Sequence, residues 1–203
     1  LSSFLIFVGV SIINFVNFAD GIDGLVGGSM IIYFSTYAFL FDNSVWPLVS
    51  VLIVYLYFNW MPAKIFMGDA GSTYLGAILF GTLLKTGSLE GSISLLLVAT
   101  PIFSDTCLCV LRRLKRKHQV FKPHRLHLFQ RLKLNGMKQS VVSTIYIIST
   151  AFIALSLINF VPPLATITGS KIIFLILIKS KAFNTIFITF EECNIPILTA
   201  SGL

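Results

Sequence analysis

An aspartate between two glycines is the residue of this sequence best suited to chemistry. Asp69 lies in the segment FMGDAGST, residues 66–73, directly before an apolar run that reaches residue 84. This pattern predicts a helix that begins near Asp69, with free backbone N–H groups and the positive end of the helix dipole beside the carboxylate. Such a corner attracts phosphate, and a divalent cation would join the carboxylate to it. The structural alternative is that Asp69 only caps the helix.

A second acidic cluster follows the first apolar run. Asn14, Asn17, Asp20 and Asp23 recur every three residues, which predicts that they share one face of a helix. Polar side chains at the end of an apolar helix are costly in lipid, so we expect them to face the bundle interior or a wet cavity. The glycines between them would let the backbone break and approach a ligand. Capping of the adjoining helix ends is the alternative role.

Three further residues are candidates for a binding pocket. Asn59 and Phe66 would flank it, because an amide can bond a base edge and an aromatic ring can stack on the base. Packing or capping is the simpler role for each of them. Asp105 lies inside an apolar run, and a carboxylate within the membrane predicts a functional site that faces the bundle. A hydroxyl or arginine partner for Asp105 is the competing interpretation.

Ten of the fifteen Lys and Arg residues lie between Arg112 and Lys138. After Pro123 we expect a short amphipathic helix that carries His124, His127 and Arg131 on one face. Imidazoles beside arginines suit a phosphate better than a metal ion, because cationic neighbours disfavour a bound cation. A zinc site is not expected, since two histidines without a third ligand nearby do not complete one.

The elements that must position these residues are membrane helices. Of the 203 residues, 56% are hydrophobic and 11% are charged, whereas soluble domains are about one quarter charged. Long apolar runs in a membrane must be helical because no water satisfies their backbone. The sequence predicts an all-α, polytopic transmembrane bundle of about six helices within residues 1–161, with a basic loop at 112–139. A short apolar and irregular tail, 162–203, follows. The runs span residues 1–18, 25–41, 45–60, 71–84, 93–111 and 141–161.

The basic loop also predicts the orientation of the bundle. Positively charged loops stay in the cytoplasm, so this cluster of charge needs no nucleic-acid partner. Counting back through the helices places both acidic clusters on the same side of the membrane as the histidines. We therefore expect one cytoplasmic active site built by the ends of several helices.

Three motifs resemble, in order and separation, the polyprenyl-phosphate N-acetylhexosamine-1-phosphate transferases of glycosyltransferase family 4. They are Asn14 and Asn17 followed by DGIDGL at 20–25, FMGDAGS at 66–72, and PHRLH at 123–127. The resemblance covers residues 1–160, and HRLHLFQRL is more similar to the bacterial O-antigen and lipopolysaccharide initiating enzymes than to the peptidoglycan translocase. It implies transfer of an N-acetylhexosamine 1-phosphate from a UDP-sugar to a polyprenyl phosphate, with release of UMP. It further implies a multi-pass enzyme of the cell inner (plasma) membrane that starts cell-envelope glycan synthesis.

The resemblance also assigns roles to residues. Asp69 would ligate Mg²⁺, with Mn²⁺ as a substitute, and Asp20 and Asp23 would line the nucleotide side. Asn59 and Phe66 would bound a uracil pocket, while His124 and His127 would hold the diphosphate or the sugar. The other residues expected to bind substrate are Asn17, Arg125 and Asp105. A homodimer is compatible with the resemblance.

One departure from the family concerns an acidic motif. The family carries an Asp-Asp pair on an earlier cytoplasmic segment, and this sequence contains no such pair. We therefore expect an N-terminally truncated fragment that lacks several helices and with them the full activity.

Two other functions would also use acidic residues at the ends of membrane helices. CDP-alcohol phosphatidyltransferases share the pattern Asp-x-x-Asp-Gly, but Gly27 and Gly28 stand where that pattern needs Ala-Arg, and residues 31–41 carry no acid. A transporter or channel would place polar residues through the full depth of the bilayer. Here they gather at one end of the helices, which favours an interfacial enzyme.

Overall fold

Helices make up nearly all of residues 2–115 and 127–160, which are the residues that the computed structural model describes. In chain order they are α1 (Ser2–Ala19), α2 (Leu25–Leu40), a 3₁₀ turn (Asn43–Val45), α3 (Trp46–Asn59), α4 (Gly68–Lys85), α5 (Leu89–Val98), α6 (Thr100–Lys115), α7 (Leu128–Leu134) and α8 (Gln139–Phe160). These two ranges contain no strand, and the predicted all-α membrane bundle is confirmed.

The helices differ in how well they could cross a bilayer. Within the described residues, α1 and α8 are long and apolar enough to do so, and the bent pair α5 and α6 would raise the number to three. α2 and the segment Asn43–Asn59 are apolar but shorter. Length and composition of the described helices thus support two or three spans, and the count of about six stays a prediction.

The predicted run 93–111 is not one straight helix. α5 ends at Val98 and α6 begins at Thr100, and the two are bent by 81°. Pro101 explains the break: it has no N–H to continue the hydrogen bonds of α5, and its fixed φ suits the first turn of a new helix. This bend directs Asp105, which lies one turn further along α6, into the interior.

α2 forms the centre of the bundle. It carries no charged residue, and Tyr33, Phe34 and Tyr37 along it are fully buried. A helix that is apolar on all sides is stable when other helices surround it, and α2 contacts α3, α4 and α8. The Tyr33 hydroxyl meets Thr82 of α4 at 3.0 Å, which satisfies both groups away from water.

α1 and α4 pack closely enough to bring their ends together. A Cβ at Gly76 of α4 would lie 2.8 Å from the Cα of Ile13 in α1, so the two backbones touch where only glycine fits. The C-terminal end of α1 consequently lies beside the N-terminal end of α4. These are the ends that carry the two acidic clusters.

The basic segment is partly helical. The segment predicted as the loop 112–139 contains the end of α6 and all of α7. α7 begins at Leu128, so His127 precedes the helix and does not lie on its face as predicted. His124, Arg125 and the predicted tail 162–203 lie outside the described residues.

Candidate active site

The first acidic cluster forms a turn between α1 and α2. α1 ends at Ala19 and α2 begins at Leu25, so Asp20 and Asp23 are not on a helix face as predicted. Gly24, whose φ of 77° is left-handed, ends this turn directly before the first residue of α2. Both carboxylates are half-buried at this turn.

Neighbouring helices hold the acidic turn, residues 20–24, on two sides. The backbone N–H of Gly24 donates to Oδ1 of Asn59 at the end of α3, at 2.8 Å. The hydroxyl of Ser143 on α8 donates to the backbone carbonyl of Asp23, at 2.7 Å. These two hydrogen bonds from neighbouring helices fix the backbone of a turn that would otherwise be free to move.

The second acidic cluster lies at the start of α4. Asp69 is in the first turn of the helix, as predicted, and its side chain is exposed. The capping alternative is wrong, because the N-cap residue is Met67 and no side chain caps the helix. Gly68 has a φ of 64°, a left-handed backbone conformation that glycine adopts readily. This explains why a glycine directly precedes the acid.

Asn17 joins the two clusters. Its amide nitrogen donates to Oδ1 of Asp69 at 3.1 Å and to the hydroxyl of Ser72 at 2.9 Å. Asn14, one turn earlier on α1, instead donates to the carbonyl of Val10 in its own helix, at 2.9 Å. Only one of the two asparagines therefore takes part in the site.

Burial and two neighbouring carboxylates act on the ionisation of Asp20. Burial, together with the nearby charges of Asp23 and then Asp69, raises the pKa of Asp20 to about 6. Among the described residues no cation pairs with any of the three; the ion pair between Lys85 and Asp42 lies at the other end of α4. The site is a concentration of negative charge with no counter-charge from those residues.

A cation would relieve this repulsion. No group of three or more His, Cys, Asp or Glu side chains is close enough to form a complete metal cage in the described parts of the chain. Mg²⁺ rarely needs such a cage, since it keeps several waters and binds one or two carboxylates together with substrate phosphates. The exposed carboxylate of Asp69 and the adjacent acidic turn fit that mode of binding.

α7 is docked on the acidic turn. The ring of Phe129 lies against Gly21, where an added Cβ would be 2.6 Å from Cε2 of the ring. His127 is buried and stacks on Phe129, with ring centroids 5.3 Å apart. Through Phe129, one of the two predicted histidines is linked to Gly21 of the acidic turn.

Asp105 fixes the start of α7. Its Oδ1 accepts a hydrogen bond of 2.7 Å from the backbone N–H of Leu128, and its Oδ2 accepts one of 3.0 Å from the hydroxyl of Tyr146. A hydroxyl partner was the competing interpretation for this residue, and such a partner is present. Its predicted contact with substrate stays a prediction.

The residues predicted to bound a base pocket differ in their surroundings. Asn59 is buried, and its amide nitrogen donates to the carbonyl of Ile65 at 2.8 Å while its oxygen accepts from Gly24. Its observed role is to join the acidic turn to the link between α3 and α4. Phe66 is 71% exposed at the end of that link, so its ring is free to stack on a ligand. The pocket itself stays a prediction.

Several residues of the site were not singled out from the sequence. Gly21 and Phe129 form the contact between α7 and the acidic turn, and Ser143 and Tyr146 of α8 bond that turn and Asp105. Ser143 and Tyr146 are three residues apart on an apolar helix. That spacing places them on one face, and polar side chains repeated on one face of a membrane helix are a usable signal of an internal contact.

Comparisons with known proteins agree with the motifs. The model of glycosyl transferase family 4 matches residues 1–87, which include both acidic clusters. A probable undecaprenyl-phosphate N-acetylglucosaminyl 1-phosphate transferase of Bacillus subtilis is 35% identical over 83% of this chain and 50% of its own length. The phospho-N-acetylmuramoyl-pentapeptide-transferases of Staphylococcus carnosus and Dictyoglomus turgidum are 34% and 35% identical, each over 71% of this chain and 47% and 48% of their own lengths.

The chain therefore spans about half the length of the curated relatives it matches. The matched region contains the acidic turn and the start of α4, and the longer alignments continue beyond it. The order of the motifs, the match to residues 1–87 and these relatives agree with one another. This chain belongs to glycosyl transferase family 4.

Proposed function

We propose that this chain forms part of an enzyme that transfers an N-acetylhexosamine 1-phosphate from a UDP-sugar to a polyprenyl phosphate. An oxygen of the lipid phosphate attacks the β-phosphorus of the UDP-sugar. The bond between that phosphorus and the bridging oxygen breaks, and UMP leaves with the bonding electrons. The products are UMP and a polyprenyl-diphosphate sugar, in a reaction that begins the assembly of a cell-envelope glycan.

One observation carries this proposal: Asn17 bonds Asp69 at the start of α4 and lies one turn before Asp20 at the end of α1. Carboxylates from two separate helix ends thus face one small volume beside a helix N-terminus. Phosphoryl transfer depends mainly on positioning and on neutralising charge, so it needs this type of site more than it needs a nucleophilic side chain.

Mg²⁺ is the proposed cofactor, with Mn²⁺ as a substitute, and Asp69 is the proposed ligand. When bound, the ion would supply charge neutralisation for the diphosphate. Asp20 and Asp23 would line the nucleotide side, and His127 would hold the diphosphate or the sugar. His124, Arg125, Asn59 and Phe66 are proposed to complete the binding of substrate.

The proposed site faces the cytoplasm at the inner (plasma) membrane. The nucleotide sugar is the soluble substrate, whereas the polyprenyl phosphate would enter from the bilayer between helices. The basic segment Arg112–Lys138 supports this orientation through the positive-inside rule. We propose an O-antigen or lipopolysaccharide pathway because the sequence HRLHLFQRL at residues 124–132 resembles the enzymes that initiate those glycans.

The proposal is tested by Asp69→Asn in the full-length protein. UMP release from UDP-N-acetylglucosamine and other UDP-N-acetylhexosamines is measured with polyprenyl phosphate across a range of Mg²⁺ concentrations. Asp69→Asn should abolish Mg²⁺-dependent release, because it removes the charge that the ion needs. Asp42→Asn is the matched control, since Asp42 lies near the other end of α4 and bonds Ser44. Full activity of Asp69→Asn would remove the metal role from Asp69.

A further inference from the structure

Asp105 is buried, and its carboxylate bonds the first residue of α7 and a tyrosine of α8. It is only 3% exposed within α6. A buried carboxylate is strongly destabilising unless its oxygens accept hydrogen bonds, and here one accepts from Leu128 and the other from Tyr146. The group is therefore built into the contact between α6, α7 and α8.

The bond to Leu128 acts directly on His127. Leu128 is the first residue of α7 and His127 is the residue before it, so the two share one planar peptide unit. Holding the N–H of that unit fixes the carbonyl and the Cα of His127. The ring then stacks on Phe129, and Phe129 lies against Gly21 of the acidic turn.

α8 connects this support to the acidic turn. Tyr146 bonds Asp105, and Ser143, three residues earlier on the same face of α8, bonds the carbonyl of Asp23. One rigid helix thus holds both the residue that fixes α7 and the turn on which α7 is docked. The position of α7 on the acidic turn is therefore supported by bonds from both α6 and α8.

We propose that Asp105 is a positioning residue for His127. Its carboxylate holds the first peptide of α7, and this keeps the imidazole stacked on Phe129, the ring that lies against Gly21 of the acidic turn. The role of His127 in this statement rests on the proposed function. The position of His127 does not, so the two are tested separately.

The position of His127 is read by NMR of the full-length protein with labelled histidine, reconstituted in lipid nanodiscs. The chain has three histidines, and His127→Gln identifies the signal of interest. Stacking on Phe129 should shift the ring protons of His127 upfield, and Asp105→Ala should remove that shift. Asp105→Asn should restore most of it, because the amide oxygen can still accept from Leu128.

Two further variants keep this test decisive. Thr106→Val is the matched control: Thr106 is a buried neighbour on α6 whose hydroxyl contacts Ile102 at 3.3 Å, and it should leave the His127 signal unchanged. Tyr146→Phe removes the bond from the tyrosine hydroxyl to Asp105, leaves the bond from Leu128, and should shift the signal partway. If Asp105→Ala does not fold, Tyr146→Phe decides alone. An unmoved His127 signal in Asp105→Ala, or in Tyr146→Phe in that case, overturns the proposal.

Kinetics then test the link to catalysis. Asp105→Ala should lower kcat by ~10²-fold with little change in KM, since misplacing a catalytic group by about 1 Å has an effect of that size. In the His127→Ala background the same change should alter kcat by less than about twofold, because a residue that acts through His127 has nothing left to position. If the kcat losses caused by Asp105→Ala and His127→Ala multiply in the double variant, Asp105 acts independently of His127 and the proposal is overturned. A shifted NMR signal with no UMP release from any version would instead refute the proposed function and leave the positioning intact.

Discussion

Asp20 is the carboxylate whose ionisation depends most clearly on its neighbours. Burial, followed by the charges of Asp23 and Asp69, raises its pKa to about 6. We expect carboxyl ¹³C NMR of the metal-free protein, with the signal identified by Asp20→Asn, to give a midpoint near this value. Asp69→Asn should lower the midpoint because it removes one repelling charge. A midpoint at the ordinary value of 3.8 would contradict the described proximity of the acids.

The same pKa predicts how stability depends on pH. Because the pKa of Asp20 in the folded protein is raised, the folded state binds this proton more tightly than the unfolded state. The stabilisation is complete below the unfolded value of 3.8 and is lost as pH rises through about 6. Chemical unfolding in detergent should therefore show stability falling over this window, and Asp20→Asn should flatten that part of the curve. An unchanged curve would contradict the expectation.

Asn17 is expected to orient Asp69 for the ion. Without the bond from its amide, the exposed Asp69 side chain is free to rotate away. Asn17→Ala should raise the Mg²⁺ concentration for half-maximal UMP release by about 10–100-fold, the usual effect of removing a residue that orients a metal ligand. Asn14→Ala is the matched control, because Asn14 bonds only its own helix. Equal effects of the two substitutions would indicate a general weakening of α1.

The docking of α7 on the acidic turn depends on the absence of a side chain at Gly21. A Cβ there would lie 2.6 Å from the ring of Phe129, so Gly21→Ala should displace α7 and lower turnover. Phe129→Leu should restore part of the activity in the double variant, since a smaller side chain leaves room for the new methyl group. Gly81→Ala is the matched control: nothing lies within 4 Å of a Cβ at Gly81, and it should leave turnover unchanged. If Phe129→Leu gives no recovery, the contact does not explain the loss.

Local patterns predicted the helices well and their ends less well. The apolar run after Asp69 fixed the start of α4 to within a few residues, because a glycine and an acid mark a helix N-terminus. The three-residue spacing of Asn14, Asn17, Asp20 and Asp23 also matched a helix, but α1 ends at Ala19 and the two acids lie in a turn. The single apolar run predicted at residues 93–111 is two helices, and Pro101 is the local signal for the break between them.

Long-range contacts account for what the sequence could not show. Ser143 reaches the carbonyl of Asp23 across 120 positions, and Tyr146 reaches Asp105 across 41. No periodicity within a helix specifies which partner a buried hydroxyl will meet, because that depends on how the helices pack. The sequence was therefore sufficient to identify the candidate residues and to place them near helix ends. The contacts that support them could be identified only from the folded structure.

The orientation of the bundle gives the last prediction. α4 is less apolar than α1 and α8, but its 18 residues give a length of ~27 Å that approaches the thickness of a bilayer core, and we expect it to cross the membrane within the bundle. Its two ends should then lie on opposite sides of the membrane, with Asp69 at the cytoplasmic end because the basic segment is expected there. In a variant with Cys107, Cys109 and Cys193 replaced by Ser, single cysteines are introduced as Lys64→Cys beside the site and Glu90→Cys at the other end, both at exposed positions.

A membrane-impermeant maleimide added to intact cells should label the protein carrying Glu90→Cys and spare the one carrying Lys64→Cys. Permeabilised cells should show labelling of both, which controls for reactivity. The opposite pattern would place the acidic site outside the cytoplasm, away from the nucleotide sugar. That result would exclude the proposed substrate even if every contact among Asn17, Asp69 and the acidic turn were correct, because a transferase needs its soluble donor on the same side as its carboxylates.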